Sequence, residues 1–323
     1  MKAIVYTKYG SPDELKLEEI EKPRPKDDEV FIKVYAASVN ASDQEFLRGT
    51  PVYVRMWGLF KPNNQILGTD IAGRVEVVGK KVKQFKPGDE VFGDIIGRGG
   101  GFAEYVCAPE NALTLKPNNM TFEEVAALPQ AAVVALQGLR DKGQVKPGQN
   151  VLINGAGGGS GSFAVQLAKH FGAEVTGVDN TEKSDIMRQN GADHVIDFTQ
   201  EDFTQNGRRY DLILDFVAAH SIFDYKRALS SEGMYIMVGG SMAHIFQTLF
   251  LGALISMTGT KKMGILGAIP NKGLTFILEL IETGKIKPII DRYYPLNEVP
   301  EAFRYFGAGH AKGKLVITVA STK

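Results

Sequence analysis

The sequence is poor in cysteine: Cys107 is the only one among 323 residues, so no disulfide can form within the chain. This composition is typical of proteins of reducing compartments, and we expect a cytoplasmic location. An excess of one charge is also lacking, because 37 basic residues balance 37 acidic residues at pH 7. Without a basic field, the chain is not expected to bind nucleic acid or an anionic membrane surface.

Long hydrophobic runs are missing as well. The most apolar stretch spans residues 245–258, and Gln247 and Thr248 interrupt it. A membrane-spanning helix needs about 20 consecutive apolar residues, so no membrane span is predicted. A helix that is buried or lies in an interface is favoured instead. Residues 1–8 hold too short an apolar stretch for a secretory signal.

The most informative segment is rich in glycine. Residues 151–153 are apolar, five glycines follow within 155–161, and residues 162–169 have apolar positions at helical spacing. This order predicts a strand, a tight turn and a helix, the arrangement that binds the pyrophosphate of a dinucleotide at a helix N-terminus. Glycines three apart suit the tight turn, the close approach of the backbone to the pyrophosphate and close helix–strand packing. We therefore expect cofactor contacts at Gly155, Gly158, Gly159, Ser160 and Gly161.

An acidic residue follows at the expected distance. Residues 174–178 have the pattern of a second strand that ends at Asp179, 18 residues after Gly161. In dinucleotide-binding folds, an acid about 20 residues after the glycines accepts hydrogen bonds from the adenosine ribose. Asp179 is therefore predicted to bind the ribose, with a solvated turn acid as the alternative.

The pattern of predicted elements changes along the chain. Residues 1–110 contain short strand-like runs separated by turn residues, at 2–7, 29–36, 72–78 and 90–93. From Thr121, which has capping-box spacing to Glu124, helices and strands alternate. This alternation predicts an α/β fold in which a doubly wound parallel sheet follows a β-rich part. Further strands are expected at 194–196, 211–215, 234–238 and 314–319, and a helix at 273–283.

Seven strings resemble, in order, those of the medium-chain dehydrogenase/reductase family. They are residues 37–40, 67–73, 86–92, 101–105, 146–148, 155–161 and 191–197. The resemblance covers nearly the whole chain. It points to the zinc-free quinone oxidoreductase branch, which includes zeta-crystallin and bacterial relatives of the chloroplast-envelope quinone oxidoreductase homologue.

The resemblance implies a fold, a cofactor and an assembly. The fold is a GroES-like catalytic domain at 1–118 and 262–323, with a Rossmann dinucleotide-binding domain at 119–261. The cofactor is NAD(P)H, and the assembly is a homodimer formed along the edge of the Rossmann sheet, near 233–256. Further cofactor contacts are expected at Lys183, Phe198, Val217, Gly239 and Gly240.

Zinc-dependent members of this family bind a catalytic metal with Cys, His and Cys. The resemblance places Asn40, Thr69 and Gln130 at those three positions. Amide and hydroxyl groups are poor zinc ligands, and one cysteine cannot form a four-cysteine site. The five histidines show no paired metal spacing. We therefore predict a protein without zinc, which does not oxidise alcohols by a zinc-dependent route.

Hydride transfer from a reduced nicotinamide to a quinone or an α,β-unsaturated carbonyl needs no Lewis acid. Negative charge then develops on the carbonyl oxygen, and protein donors must stabilise it. Asn40 is the first candidate, with a turn-forming asparagine as the alternative. Tyr53 is the second, although Tyr53, Trp57 and Phe60 would serve equally as walls of an apolar pocket. Glu45 stands where related reductases often carry a tyrosine, which weakens the case for a tyrosine proton donor.

The residues leave the choice between NADH and NADPH open. Asp179 would repel a 2′-phosphate, and Phe198 cannot donate a hydrogen bond to one, whereas Lys183 would attract it. These residues favour NADH slightly, although the branch as a whole favours NADPH. Two other functions stay open: a non-catalytic NAD(P)H-binding sensor or structural protein, and a zinc-free aldehyde or alcohol oxidoreductase.

Overall fold

The computed structural model describes residues 1–320, except for the side chain of Trp57. Its strands are β1 (Lys2–Val5), β2 (Lys16–Glu19), β3 (Glu29–Val39), β4 (Asp70–Val78), β5 (Glu90–Asp94), β6 (Tyr105–Pro109), β7 (Thr114–Leu115), β8 (Asn150–Asn154), β9 (Glu174–Asp179), β10 (His194–Asp197), β11 (Tyr210–Asp215), β12 (Leu229–Met237), β13 (Lys262–Ile265), β14 (Ile290–Pro295) and β15 (Lys314–Thr318). Its α-helices are α1 (Ala41–Arg48), α2 (Phe122–Ala126), α3 (Pro129–Leu136), α4 (Gly159–His170), α5 (Ser184–Gln189), α6 (Ile222–Ala228), α7 (Met242–Gln247), α8 (Ala253–Thr258), α9 (Leu274–Glu282) and α10 (Val299–Gly307).

The chain folds into two compact units. The first unit contains residues 1–130 and 270–274 and the described chain from 290 onward, and the second contains 131–269 and 275–289. The boundaries therefore differ from those predicted at 118/119 and 261/262. The second boundary moves because of contacts between segments far apart in sequence: β13 pairs with β12 in the sheet of the second unit, and Gln166 on α4 exchanges two hydrogen bonds with the backbone of Lys287, at 2.9 and 3.1 Å.

The first unit is built on a sheet with the strand order β14-β15-β3-β4-β5-β7, and β6 pairs with the other end of β3. β3 is buried along nearly its whole length, which places it at the centre of the unit. β15 runs antiparallel to β3, with Leu315 opposite Val39 and Thr318 opposite Ala36. The chain thus returns to the β-rich part after the second unit, as the resemblance implies.

The second unit contains six parallel strands in the order β10-β9-β8-β11-β12-β13. Counted from β8, this is the order 3-2-1-4-5-6 of a Rossmann fold, and the predicted α/β class is confirmed. The strand order reverses between β8 and β11. Ligands of such sheets bind beyond the carboxyl ends of the strands at this reversal.

Residues 242–258 form α7, a short π-helical segment at Thr248–Gly252 and α8. Only one face of this segment is buried within the chain: Ile255 is 7% exposed and belongs to a hydrophobic core cluster, whereas Phe250 is 69% exposed and Met257 is 84% exposed. An interface helix remains a prediction. Across residues 1–320, no helix combines the length and apolar character that crossing a membrane requires.

Candidate active site

The glycine-rich turn lies at the carboxyl end of β8 in the second unit. Gly155 has φ of +86°, a conformation that favours glycine, and its N–H donates to the carbonyl oxygen of Val178 at 2.9 Å. The 12-residue helix α4 then begins at Gly159, with Gly158 as an N-cap that offers no side chain to the first turn. The N–H groups of that turn are free to bind an anion, and the helix dipole favours negative charge there.

Gly158 and Gly161 have different surroundings. A Cβ at Gly161 would lie 2.0 Å from the carbonyl oxygen of Gly155 and 2.7 Å from the Cα of Ala156, so α4 packs too closely on the turn for any side chain. A Cβ at Gly158 would meet only the Gly155 oxygen, at 3.5 Å. Open space therefore lies beside the free N–H groups of the helix. This arrangement fits the pyrophosphate of a dinucleotide.

Asp179 ends β9, and its carboxylate is already bound within the protein. Its Oδ2 accepts a hydrogen bond from the N–H of Gly157 at 3.0 Å, and its Oδ1 lies 3.1 Å from Lys183 Nζ. The two side chains are each 9% exposed. Asp179 therefore stabilises the glycine turn through its hydrogen bond from Gly157, and Lys183 neutralises the charge of the Asp179 carboxylate. The structure thus has a buried ion pair at this position.

The other predicted cofactor residues follow the carboxyl ends of neighbouring strands. Phe198 directly follows β10, Val217 lies two residues after β11, and Gly239 and Gly240 follow β12. Because the carboxyl ends of parallel strands meet at one edge of a sheet, all four share this edge with the glycine turn. Val217 is 51% exposed and Phe198 is 58% exposed, so both are accessible to a ligand.

Asp215, at the end of β11, is a buried residue that the sequence did not single out. Its Oδ1 accepts from the N–H groups of Val217 and Ala218, each at 2.9 Å, and from Asn154 Nδ2 at 2.8 Å. Its Oδ2 accepts from the hydroxyl of Tyr235 at 3.1 Å. One carboxylate thus holds the turn after β11 to the end of β8, at the reversal of the strand order.

In the first unit, Asn40 and Thr69 are in direct contact. Asn40 follows β3 and Thr69 precedes β4, and Asn40 Nδ2 donates to Thr69 Oγ1 at 3.3 Å. Lys314, on β15, donates to the amide oxygen of Asn40 and lies 3.5 Å from Asp70 Oδ2. All four residues are at most 5% exposed. They form a buried polar network that contains one ion pair.

Gln130, the third position that carries a ligand in zinc-dependent members, joins this network. Its N–H donates to Asp70 Oδ1 at 3.1 Å, and its side-chain oxygen accepts from Ser42 Oγ at 2.9 Å. Within the described chain, no three His, Cys, Asp or Glu side chains are grouped to hold a metal ion. The donors at the three positions are amides and a hydroxyl, which suit hydrogen bonding better than zinc binding.

Two more buried carboxyl groups adjoin the network. Asp43 accepts from the N–H groups of Asn40 at 2.9 Å and Gly68 at 3.1 Å, and burial raises its pKa to about 7. Burial, followed by the negative charge of Asp70, raises the pKa of Asp94 to about 8. Burial in each case penalises the carboxylate form. Both groups therefore hold a proton in mildly acidic solution.

The raised pKa of Asp94 predicts that stability falls with rising pH. The folded protein binds more protons at this group than the unfolded chain from its ordinary pKa of 3.8 up to about 8. The stabilisation is complete below this window and is lost as the pH rises through it, at up to about 1.4 kcal/mol per pH unit for one proton. We expect Asp94→Asn, which cannot ionise, to flatten the decline of the melting temperature between pH 5 and about pH 8.

Asp185→Asn is the control for this measurement, because that side chain is 90% exposed. It should leave the pH profile of the melting temperature unchanged. If the melting temperature of Asp94→Asn fell with pH as steeply as that of the wild type, the role given to Asp94 would be contradicted.

Tyr53 has a separate partner. Its hydroxyl donates to Glu45 Oε2 at 3.2 Å, and burial, with the charge of Glu45, raises the pKa of Tyr53 to about 12. A phenol held in this way is a weak acid, which disfavours proton donation by Tyr53. Of the aromatic residues predicted to wall a pocket, Phe60 is 88% exposed, and the side chain of Trp57 lies outside the described part of the structure.

Comparison with known proteins gives matches in both parts of the chain. Residues 26–118 match the family model of the alcohol dehydrogenase GroES-like domain, and 190–317 match that of the zinc-binding dehydrogenases. The 2-methylene-furan-3-one reductase of Solanum lycopersicum is 35% identical over 98% of this chain and 79% of its own length. The chloroplastic NADPH-dependent alkenal/one oxidoreductase of Arabidopsis thaliana is 34% identical over the same shares of the two chains.

A solved structure shows the same fold over its full length. The quinone oxidoreductase from Coxiella burnetii superposes with a TM-score of 0.89 and 28% sequence identity, covering 99% of both chains. Together with the relatives above 30% identity, this likeness confirms the predicted family. The chain belongs to the quinone oxidoreductase branch of the medium-chain dehydrogenases/reductases.

Proposed function

We propose that this protein reduces the carbon–carbon double bond of α,β-unsaturated carbonyls, or a quinone, with a reduced nicotinamide and without zinc. The observation that carries the proposal is the donor set of the first unit. Amide and hydroxyl groups meet at Asn40 and Thr69, two of the positions where zinc-dependent members bind their metal, and the Lys314 ammonium donates to the Asn40 amide. Such donors stabilise a developing oxyanion. The names of the two plant relatives support this class of substrate.

A nicotinamide dinucleotide supplies the hydride when it is bound. The residues that would hold it lie in the second unit. Gly155, Gly158, Gly159, Ser160 and Gly161 would bind the pyrophosphate through the turn and the first N–H groups of α4. Asp179 and Lys183 would face the adenosine end, and Asp215 would keep the turn of Val217 in place.

We propose NADPH as the preferred cofactor, against the slight preference for NADH that the residues alone suggested. Lys183 neutralises Asp179, so the repulsion of a 2′-phosphate by that carboxylate is reduced, and the remaining N–H donors of the same ammonium could bind the phosphate. Lys183→Met should raise the Kd for NADPH by about tenfold or more, which is ~1.4 kcal/mol, and the Kd for NADH by less than about threefold. Fluorescence titration of each reduced cofactor measures both constants.

Lys169→Ala is the matched control for this titration. Lys169 lies in the last turn of α4, at the opposite end of that helix from the glycine turn, and pairs with Asp193 at 2.7 Å. Its removal should change neither constant. Tighter binding of NADH than of NADPH by the wild type, or equal losses for both cofactors in Lys183→Met, would contradict the choice of NADPH.

Turnover of a small panel of acceptors tests the reaction itself. Purified protein is mixed with NADPH and an alkyl vinyl ketone, an alkenal, 1,2-naphthoquinone, 9,10-phenanthrenequinone or a plain aldehyde, with and without a chelator. We expect reduction of an enone or a quinone at a rate that the chelator leaves unchanged. Turnover of the aldehyde alone would favour a carbonyl reductase. Tight cofactor binding without any turnover would favour a sensor or structural protein.

We also propose a homodimer that covers the apolar helices α7 and α8. β13 pairs with β12 on one side and is an edge strand of the six-stranded sheet, next to those exposed helices. An open sheet edge beside a large apolar surface is a typical interface. Light scattering should give twice the chain mass of 35.2 kDa, and a mass of one chain would contradict the dimer.

The composition supports two smaller proposals. A net charge of zero supports the proposal that the protein has no nucleic-acid partner. We expect the purified protein to have the 260/280 nm absorbance ratio of a protein free of nucleic acid. The single cysteine supports a cytoplasmic location, which cell fractionation tests.

A further inference from the structure

The orientation of the Asn40 amide follows from its neighbours. A lysine ammonium has three donors and no acceptor, so the atom of Asn40 that faces Lys314 must be the amide oxygen. The amide nitrogen is then directed to Thr69, with Nδ2 and Oγ1 3.3 Å apart. The same nitrogen also faces the carboxylate of Asp70. The amide N–H groups of Asn40 therefore donate to other members of the network.

The Thr69 hydroxyl, in contrast, keeps its proton for donation. A threonine hydroxyl has one donor and two lone pairs, and one lone pair accepts from Asn40. Among residues 1–320, no group is placed to accept the hydroxyl proton of Thr69. Thr69 also lies in the wall of a pocket in the first unit. Aromatic and aliphatic side chains make up much of this wall, among them Tyr6, Tyr9, Phe46, Ile66 and Leu67.

A cation stands at the far end of this chain of hydrogen bonds. Lys314 donates to the backbone oxygen of Val39 at 3.2 Å and to the amide oxygen of Asn40, and it is 2% exposed. Hydrogen bonds in series polarise one another, and a charged first donor strengthens those that follow. The order from Lys314 to Asn40 to Thr69 thus ends in a polarised O–H group.

We infer that the Thr69 hydroxyl is a catalytic residue that donates a hydrogen bond to the carbonyl oxygen of the substrate, while Asn40 and Lys314 position and polarise it. The inference rests on the proposed reduction of enones or quinones. For an enone, a hydride from the reduced nicotinamide forms the new C–H bond at the β-carbon, and the electron pair of the double bond moves towards the carbonyl oxygen. Solvent protonates the α-carbon. Thr69 stabilises the oxyanion between these steps and gives up no proton.

Two substitutions at Thr69 separate the hydroxyl from the shape of the side chain. Thr69→Val removes the hydroxyl at nearly constant volume, and Thr69→Ser keeps it. Loss of one oxyanion donor costs about 10²–10³ in kcat in a well-studied protease, so we expect kcat with an enone to fall by about 100-fold in Thr69→Val, with KM changed by less than about threefold. Thr69→Ser should keep kcat within about fivefold of the wild type.

A spectroscopic measurement tests the same hydrogen bond without turnover. An alkyl vinyl ketone labelled with ¹³C at the carbonyl is bound together with the oxidised cofactor, and its carbonyl stretch is recorded by difference infrared spectroscopy. The stretch should move to lower wavenumber in the wild type and in Thr69→Ser, and the shift should be lost in Thr69→Val. Thr69→Ala takes the place of Thr69→Val should the valine variant not fold, as judged by its melting temperature.

Thr204→Val is the control, because it deletes a buried hydroxyl of the second unit, outside this network, which donates to Asp202 Oδ1 at 2.7 Å. It should keep the wild-type carbonyl shift and KM. A wild-type carbonyl without the shift, or a Thr69→Val variant with wild-type kcat and shift, would overturn the role of Thr69. A wild type that shows the shift but reduces no enone or quinone would instead contradict the proposed function and leave the hydrogen bond established.

Discussion

Replacing Lys314 with methionine should lower the free energy of unfolding by about 3–5 kcal/mol, the usual cost of breaking a buried ion pair by removing one partner. The side chain of Lys314 is 2% exposed and that of Asp70 is fully buried, with Nζ and Oδ2 3.5 Å apart. Methionine fills a similar volume but leaves the Asp70 carboxylate without a cation. Urea unfolding followed by far-UV circular dichroism measures this loss.

The double variant Lys314→Met/Asp70→Asn is the control for charge. Both charges are then absent, and a buried neutral amide costs much less than a buried carboxylate. We expect the double variant to recover most of the lost stability. A single variant as stable as the wild type would show that Lys314 does not stabilise the fold through its charge. A double variant as unstable as Lys314→Met would likewise show that the loss of stability does not come from the unpaired charge of Asp70.

The second large effect is expected at the glycine turn. Gly161→Ala places a Cβ 2.0 Å from the Gly155 carbonyl oxygen, so either α4 or the turn must move. Overpacking of this kind costs about 1–3 kcal/mol of stability, and the displaced N–H groups should weaken NADPH binding by about 100-fold, ~2.7 kcal/mol. Thermal unfolding and titration with NADPH measure the two effects.

Gly158→Ala should behave differently, because its Cβ would enter open space with the nearest atom at 3.5 Å. The melting temperature should stay at the wild-type value while NADPH binding weakens, since the methyl group occupies space beside the helix N-terminus. Gly267→Ala, where a Cβ would meet nothing within 4 Å, is the control for both measurements. Equal melting temperatures for Gly161→Ala and Gly158→Ala would contradict the close packing of α4 on the turn.

The local elements of the second unit could be predicted from the sequence, because their signals lie within a few residues. The strand before Gly155, the helix after it and the strand that ends at Asp179 all occur where the apolar periodicity places them. The capping box of Thr121 and Glu124 is also present, with hydrogen bonds of 2.8 and 3.2 Å. Each of these features depends on neighbours in the chain.

Contacts between distant segments could not be predicted in this way. The resemblance aligned Asn40 and Thr69 with metal ligands, but nothing local indicated that Lys314 would reach Asn40 across 274 residues. The available signal was indirect: Lys314 is a charged residue at the start of an apolar run that was predicted as a strand. The ion pair of Asp179 with Lys183 is not evident from the sequence either, because a lysine at this position is equally consistent with a ligand of phosphate.

The pairing of β15 with β3 has a consequence for synthesis. Val39 and Lys314 are 275 residues apart, and the whole second unit is translated between them. The second unit can complete its sheet while the first still lacks a strand next to its centre. Until the ribosome has released β15, the side chains of Asn40 and Asp70 have no ammonium to face, and one side of β3 is open to wrong partners. The residues translated first, which include β3, are therefore the part of the nascent chain most exposed to mispairing. We expect a chaperone to be needed there.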